Sequence, residues 1–138
     1  MNKKVWLGFV AAFVTLEVLD FIIHGVILGS TYASMTVWRT DMMSKMWITH
    51  LVTLIGAFFF AFVFSKGFEN KGIGEGLRYG LYIGIWMSVG MAYGTYAMIA
   101  IPYSLALEWF LFGVVEYVIA GAVLAMVFGS KAKVETKT

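Results

Sequence analysis

No cysteine occurs in the 138 residues, which excludes disulfides, thiolate metal sites, iron–sulfur ligation and covalent c-type haem attachment. Proline occurs once, at Pro102, so long helical segments run without an internal breaker. Charge is scarce as well: Asp, Glu, Lys and Arg make up 13% of the chain against 61% hydrophobic residues, and the mean hydropathy is +0.85. That balance lies outside the soluble globular range and inside the membrane class, with the lipid bilayer as the immediate partner. The net charge of +2 does not form a basic patch, because the cationic residues gather at segment ends; no nucleic-acid partner is expected. Nucleotide-binding signatures are missing too. Gly72-x-Gly74-x-Gly76 follows no strand, and no Ser or Thr has a base partner by spacing, which leaves acyl and phosphoryl transfer without support.

What is present is a set of long apolar segments at about 5–29, 46–65, 77–101 and 104–129, each long enough for one helical crossing. They predict an all-α integral membrane four-helix bundle forming a single four-span domain over residues 1–138. A polar stretch, 30–45, and a Gly- and charge-rich stretch, 66–76, link the first three. Pro102 lacks an N–H and biases Ile101 away from helix, so it separates spans three and four. Lys3 and Lys4 resemble the start of a signal peptide, but the apolar run continues past Ala12 into Glu17 and Asp20 without a cleavage site, which favours an uncleaved first span. Eight cationic residues (Lys3, Lys4, Lys66, Lys71, Arg78, Lys131, Lys133 and Lys137) fall on one side of such a layout, and only Arg39 and Lys45 on the other. Both termini are therefore expected in the cytoplasm.

Span three carries Gly76, Gly80 and Gly84 at spacing four, with Gly90, Gly94 and Met87, Met91 and Met98 further on. Small residues at that spacing let helices approach closely, and the face is a plausible seam for a homo-oligomer. Tyr79, Tyr82, Trp86 and Tyr93 form an aromatic stripe beside it, read as packing and interface anchoring. Span two aligns His50, Thr53, Ala57 and Ala61. A short echo between AFVFSK (61–66) and AMVFGSK (125–131) is too brief to establish a repeat.

The informative residues are those that lipid solvates worst. Glu17, Asp20 and His24 fall within roughly 60° on one face of the first span at ~100° per residue. With His50, Glu108 and Glu116 they make six ionisable residues on three spans. At ~1.5 Å per residue, Glu17 and Glu116 lie near mid-membrane, while His24, His50 and Glu108 sit ~9–12 Å toward the outer side, with Asp20 between the two layers. No Lys or Arg lies deep in any span to neutralise the four acids. They must be protonated, paired with imidazolium, or arranged around a bound cation or water, and Arg39 can fold down over the outer layer. Glu108 also fits an interfacial position, and His50 a hydrogen bond to Thr49 or Thr53.

Three functions fit this inventory. The first is handling of protons or a small cation by a carboxylate–histidine relay through Glu17, Asp20, His24, His50, Glu108 and Glu116. The second is a redox or metal protein. In it, His24 and His50 supply axial imidazoles to a b-type haem, or His24, His50 and Asp20 hold a metal ion. Met35, Met42, Met43 and Met46 add thioethers suited to Cu(I). The third is an accessory or scaffold subunit whose buried polar groups fix helix register.

The segments DFIIHG (20–25) and KGFENKGIGEGLRYGLYIG (66–84) resemble a group of short, uncharacterised bacterial four-span membrane proteins. More distantly, the layout resembles four-span domain families of unknown function. The resemblance implies a bacterial inner-membrane location and carries no activity, cofactor or site residue.

Overall fold

The computed structural model describes residues 2–129, and every described element is helical. Helix α1 spans Lys3–Asp20 and passes without interruption into a π-helical segment, Phe21–Ile27. A short helix α2, Gly29–Ala33, follows, then α3, Met42–Gly67, α4, Ile73–Met98, and α5, Tyr103–Gly129. Three stretches are long and apolar enough to cross a membrane: Lys3–Ile27, Met42–Gly67 and Tyr103–Gly129. Helix α4 has the length, at 26 residues, but its glycines and tyrosines dilute its apolar content. The surface is inside-out relative to a soluble protein. Leu7, Val10, Val14, Val18, Phe21, Val52, Trp86 and Leu111 all point outward, as lipid contact requires and water would not tolerate. Lys131, Lys133 and Lys137, and the end of the AMVFGSK echo, lie outside the described residues.

Several element boundaries differ from the sequence expectation, and each shift has a local cause. Helix α4 starts four residues earlier than the apolar run. Gly72 adopts φ 83°, which breaks the preceding chain, and Glu75 in the first turn accepts the backbone N–H groups of Glu69 (2.6 Å) and Lys71 (2.9 Å). A third-position carboxylate that reaches back past the Gly72 N-cap to two earlier backbone N–H groups pins the entering chain, beyond the bond of a capping box. Glu75 is therefore a helix-starting residue. At the other end of α4, Ile99 turns extended and the N–H groups of Leu105 and Ala106 find the Pro102 carbonyl, so α5 begins at the predicted break. Helix α3 starts at Met42, inside the stretch expected to be a link. The π-helix was not foreshadowed by any periodicity; its wide turn closes with Leu28 N–H on the Ile23 carbonyl at 2.8 Å, five residues back.

The helices pack in the order α3, α1, α5, α4, with α4 lying along α5 over most of its length. The α4–α5 seam is a ladder of small residues. A Cβ on Gly76 would strike the Gly121 carbonyl, and one on Gly80 the Tyr117 carbonyl. One on Gly84 would come within 3.1 Å of Val114 Cα, and one on Gly113 would strike the buried Ser88 hydroxyl. Backbones at that separation gain dispersion contacts that lipid cannot match. The Gly76/Gly80/Gly84 face, expected as a seam between copies, is thus filled by α5 of the same chain. The aromatic stripe divides as well. Tyr79 turns inward on Phe60 and Phe64 and Tyr93 packs on Tyr103 and Phe110, while Tyr82 and Trp86 face outward.

Two cores result. At one end Phe60, Phe64, Phe68, Tyr79 and Phe128 interlock, with Ala12, Ala57, Ala61 and Ala120 admitting close helix contact. There Lys4 Nζ donates to the Phe128 carbonyl, and Tyr79 Oη donates to the Phe60 carbonyl at 2.7 Å, tying α1 to α5 and α4 to α3. At the other end Ile23, Leu28, Ala92, Ile101, Leu105 and Trp109 unite the π segment with α4 and α5. Helix α3 is missing from that second core. Residues 41–52 are all exposed, so the outer half of α3 stands away from its neighbours and leaves a groove.

Candidate functional site

That groove has a volume of about 550 Å³, and Glu17, Asp20, His24 and His50 line it. Phe21, Tyr32, Trp38 and Trp109 contribute aromatic wall, and Gly25, Met42, Met43, Met46, Thr49, Thr53 and Met91 complete it; no Lys or Arg is among the described lining residues. The void follows from the unequal packing just described. Ala57 and Ala61 let the inner half of α3 close on its neighbours, whereas Trp47 and Thr49 on its outer half stay exposed and His50 reaches α1 by its side chain.

The stripe on the first span divides between two partners. Glu17 turns to α3, where His50 Nδ1 lies 2.7 Å from its Oε2. Asp20 and His24 meet Glu116 of α5, and Asp20 also lies beside the Thr53 hydroxyl and near His50 of α3. One donor atom from each of Asp20, His24 and Glu116 lies within 4.8 Å of the other two. Asp20 Oδ1 and His24 Nε2 are 3.7 Å apart. Glu116 is buried, at 7% exposure, and its Oε1 finds no hydrogen-bond partner among the described residues. A buried polar atom without a partner is costly and uncommon, so it calls for a ligand or a proton.

The pairing corrects the two-layer arrangement expected from depth alone. His50 is not level with His24, and Glu116 does not stand opposite Glu17. Helix α3 begins at Met42, so His50 lies about two turns, ~12 Å, inside it, deep enough to reach Glu17. Glu108 joins neither group; it is half-buried and eight residues, ~12 Å along α5, from Glu116. Arg39 does not fold over the site. It is exposed and forms a two-pronged bond to Asp41, Nε–Oδ1 2.8 Å and Nη2–Oδ2 3.1 Å, and that guanidinium holds the Asp41 carboxyl below the usual carboxylate range.

Sequence reasoning missed the residues that aim His24. Its Nδ1 lies 2.5 Å from Tyr32 Oη, and the two rings stack with centroids 5.9 Å apart. Tyr32 Oη also accepts the indole N–H of Trp109 at 2.6 Å, and the Tyr32 carbonyl accepts that of Trp38 at 2.9 Å. Tyr32 belongs to α2, in a stretch that reads as a polar link. The only hint was its amphipathic ring among small polar residues. With Nδ1 engaged, Nε2 is the nitrogen that faces Asp20 and Glu116.

The arrangement can do two things. A carboxylate–imidazole pair holds or passes a proton, and two carboxylates with one imidazole offer three ligand atoms to a cation. No protein-family model, curated protein or solved structure matches the chain.

Proposed function

We propose that the chain is a four-span integral membrane protein, with both termini cytoplasmic, that handles protons or a small cation in the groove between α1, α3 and α5. Helix α4 is the fourth span: its 26 residues run alongside α5, which has the length and apolarity to cross the bilayer. Lys3, Lys4, Lys66, Lys71 and Arg78 gather toward the end where the phenylalanines interlock, against Arg39 and Lys45 toward the groove mouth. The positive-inside rule then turns the groove away from the cytoplasm. The resemblance noted in the sequence favours a bacterial inner membrane.

The single observation that carries this reading is the convergence of Asp20, His24 and the buried Glu116, whose carboxyl keeps one oxygen without a hydrogen-bond partner among the described residues. Ionisable groups are expensive in lipid, and in membrane spans they mark ion and proton pathways. Glu17 and His50 extend the set along the groove wall, so a proton or cation entering at the mouth meets a graded series of acceptors. The test is ion flux into sealed vesicles holding the purified protein, followed with an internal pH dye under an imposed potential. Wild-type protein should carry protons faster than protein-free vesicles, and Glu116→Gln and Glu17→Gln should each cut that rate at least ~10-fold. Equal rates in wild type and both variants would remove the proton form of the proposal.

A further inference from the structure

The geometry points to Asp20, His24 and Glu116 as the ligands of one divalent first-row transition-metal ion. This inference rests on the cation reading above and narrows it from any small cation to a dication held by one nitrogen and two oxygens.

Charge supplies the first argument. Glu17 already has a partner in the His50 imidazole, at 2.7 Å. Asp20 and Glu116 are the two carboxylates of the cluster, with no Lys or Arg among the described residues that line the groove. Two carboxylates and a neutral imidazole cancel the charge of one dication, which a low-dielectric environment strongly favours over two bare acids.

Geometry supplies the second. Ligand atoms mutually within 4.8 Å can all reach a central ion at the ~2.0–2.2 Å bond lengths of such metals after small rotamer adjustments. Glu116, more than nine-tenths buried, brings a carboxylate oxygen to this cluster from α5 and has its Oε1 without a hydrogen-bond partner among the described residues, while Asp20 and His24 stand on the groove wall and give a way in.

Orientation supplies the third. A metal-binding histidine keeps its ring in place through a hydrogen bond from its other nitrogen. Here a proton on Nδ1 would go to Tyr32 Oη, whose two lone pairs can accept both His24 and the Trp109 indole. Nε2 is then a lone pair directed at the two carboxylates. Tyr32 is a positioning residue. The donor set, an imidazole with two carboxylates and no thiolate, suits Zn²⁺, Mn²⁺ or Co²⁺, and three protein ligands leave a coordination position for water or cargo exchange.

Co²⁺ added to chelator-stripped protein in detergent is the probe, followed by visible absorption and by metal content after gel filtration. We expect one Co²⁺ per chain, with ligand-field bands that Zn²⁺ abolishes. Glu116→Gln and Asp20→Asn should each weaken binding by ~100-fold or more, and Tyr32→Phe by ~10–100-fold with the one-site stoichiometry kept. Asp41→Asn, in the exposed loop, should bind like wild type. Melting curves without metal check folding. Glu116→Gln should melt no lower than wild type, because it removes a buried carboxylate that lacks a partner, and Co²⁺ should raise the wild-type midpoint but not that of the variant. Wild type that takes up no stoichiometric Co²⁺ overturns the site. Uptake unchanged in both carboxylate variants overturns it equally, as an adventitious ion only. Proton flux in vesicles containing chelator separates this inference from its parent. Flux without Co²⁺ uptake removes the metal site and keeps proton handling, whereas Co²⁺ uptake without flux of protons or Zn²⁺ keeps the site and removes transport.

Discussion

The two ends of this molecule are built on opposite rules. Where Phe64, Phe128 and Tyr79 meet, small residues and aromatic rings fill every gap and all four long helices are tied together. Around Asp20 and His24 the same helices diverge, α3 drops out of the packing, and polar groups occupy the space. The difference lies in what each stretch of α3 offers. Ala57 and Ala61 are fully buried and admit a neighbouring backbone, whereas Trp47 and Thr49 are exposed and His50 reaches α1 only through its ring. In lipid, where burying an apolar side chain gains little over leaving it among acyl chains, contact is made only where shapes fit. Packing at one end frees the other end to hold a site.

The sharpest way to break this contrast is to spoil the closed end. Gly80→Leu would drive a side chain into the Tyr117 carbonyl, and neither backbone can retreat without opening the ladder from Gly76 to Ser88. Overpacking of this kind costs ~1–3 kcal/mol or more, so thermal unfolding in detergent should show a large drop. The matched substitution Gly90→Leu, on the same helix but with no atom within 4 Å of its Cβ position, should leave the midpoint near wild type. Similar losses from both would mean that α4 and α5 do not associate through this face.

A smaller effect is expected at the open end. Trp109→Phe keeps the ring packed near Tyr32 but deletes the N–H that Tyr32 Oη accepts. One hydrogen bond is worth ~0.5–1.5 kcal/mol, so stability should fall modestly. The imidazole resonances of His24 should broaden as Tyr32 loosens, and unchanged resonances would mean that Tyr32 is held by stacking alone.

The smallest effect tests whether the contrast extends beyond the membrane. Each end carries one exposed loop ion pair, Arg39–Asp41 at the open end and Glu69–Lys71 at the closed end. Hydrogen bonding from Lys71 holds the Glu69 carboxyl below its usual value, as Arg39 does for Asp41. A carboxyl depressed in the folded state stabilises above its unfolded pKa, and that contribution is lost as pH falls through the folded value. Asp41→Asn and Glu69→Gln should therefore differ from wild type only slightly at pH 6, to the same extent, because exposed pairs contribute little, and should lie closer to it at pH 3. Melting midpoints at the two pH values provide the check.

Much of this was legible in the chain. The apolar runs and Pro102 set the long helices, and the cost of charge in lipid singled out Glu17, Asp20, His24, His50 and Glu116, all of which reach the groove or the cluster behind it. Their partners were not legible. The depth of His50 depended on where α3 starts, and Met42–Lys45 is too polar to be counted as span. The spacing of Gly76, Gly80 and Gly84 announced a close contact without naming the helix that fills it; Gly113 and Gly121 on α5 carried the answer, but only a three-dimensional register joins them. Tyr32 was hidden by its setting, since a five-residue helix leaves no periodic trace. The π segment is equally silent, because its cause is a competition among hydrogen bonds five residues apart.

That π segment makes the site sensitive to chain length as well as to composition. Upstream, α1 is fixed by Lys4 on the Phe128 carbonyl and by Gly8 beneath the Phe128 ring. Downstream, Tyr32 must arrive over His24. Between them the backbone accommodates one more residue per turn than an α-helix does. The same residues wound at ordinary pitch would turn everything beyond the segment by ~100°, whereas loss of one residue with that tightening would leave the register nearly unchanged. In the first case Tyr32 would swing away from the imidazole with every side chain of the site still present. A substitution that drives this apolar turn to ordinary helix is therefore a mutation of the site at a distance, and a one-residue deletion nearby would be its natural suppressor.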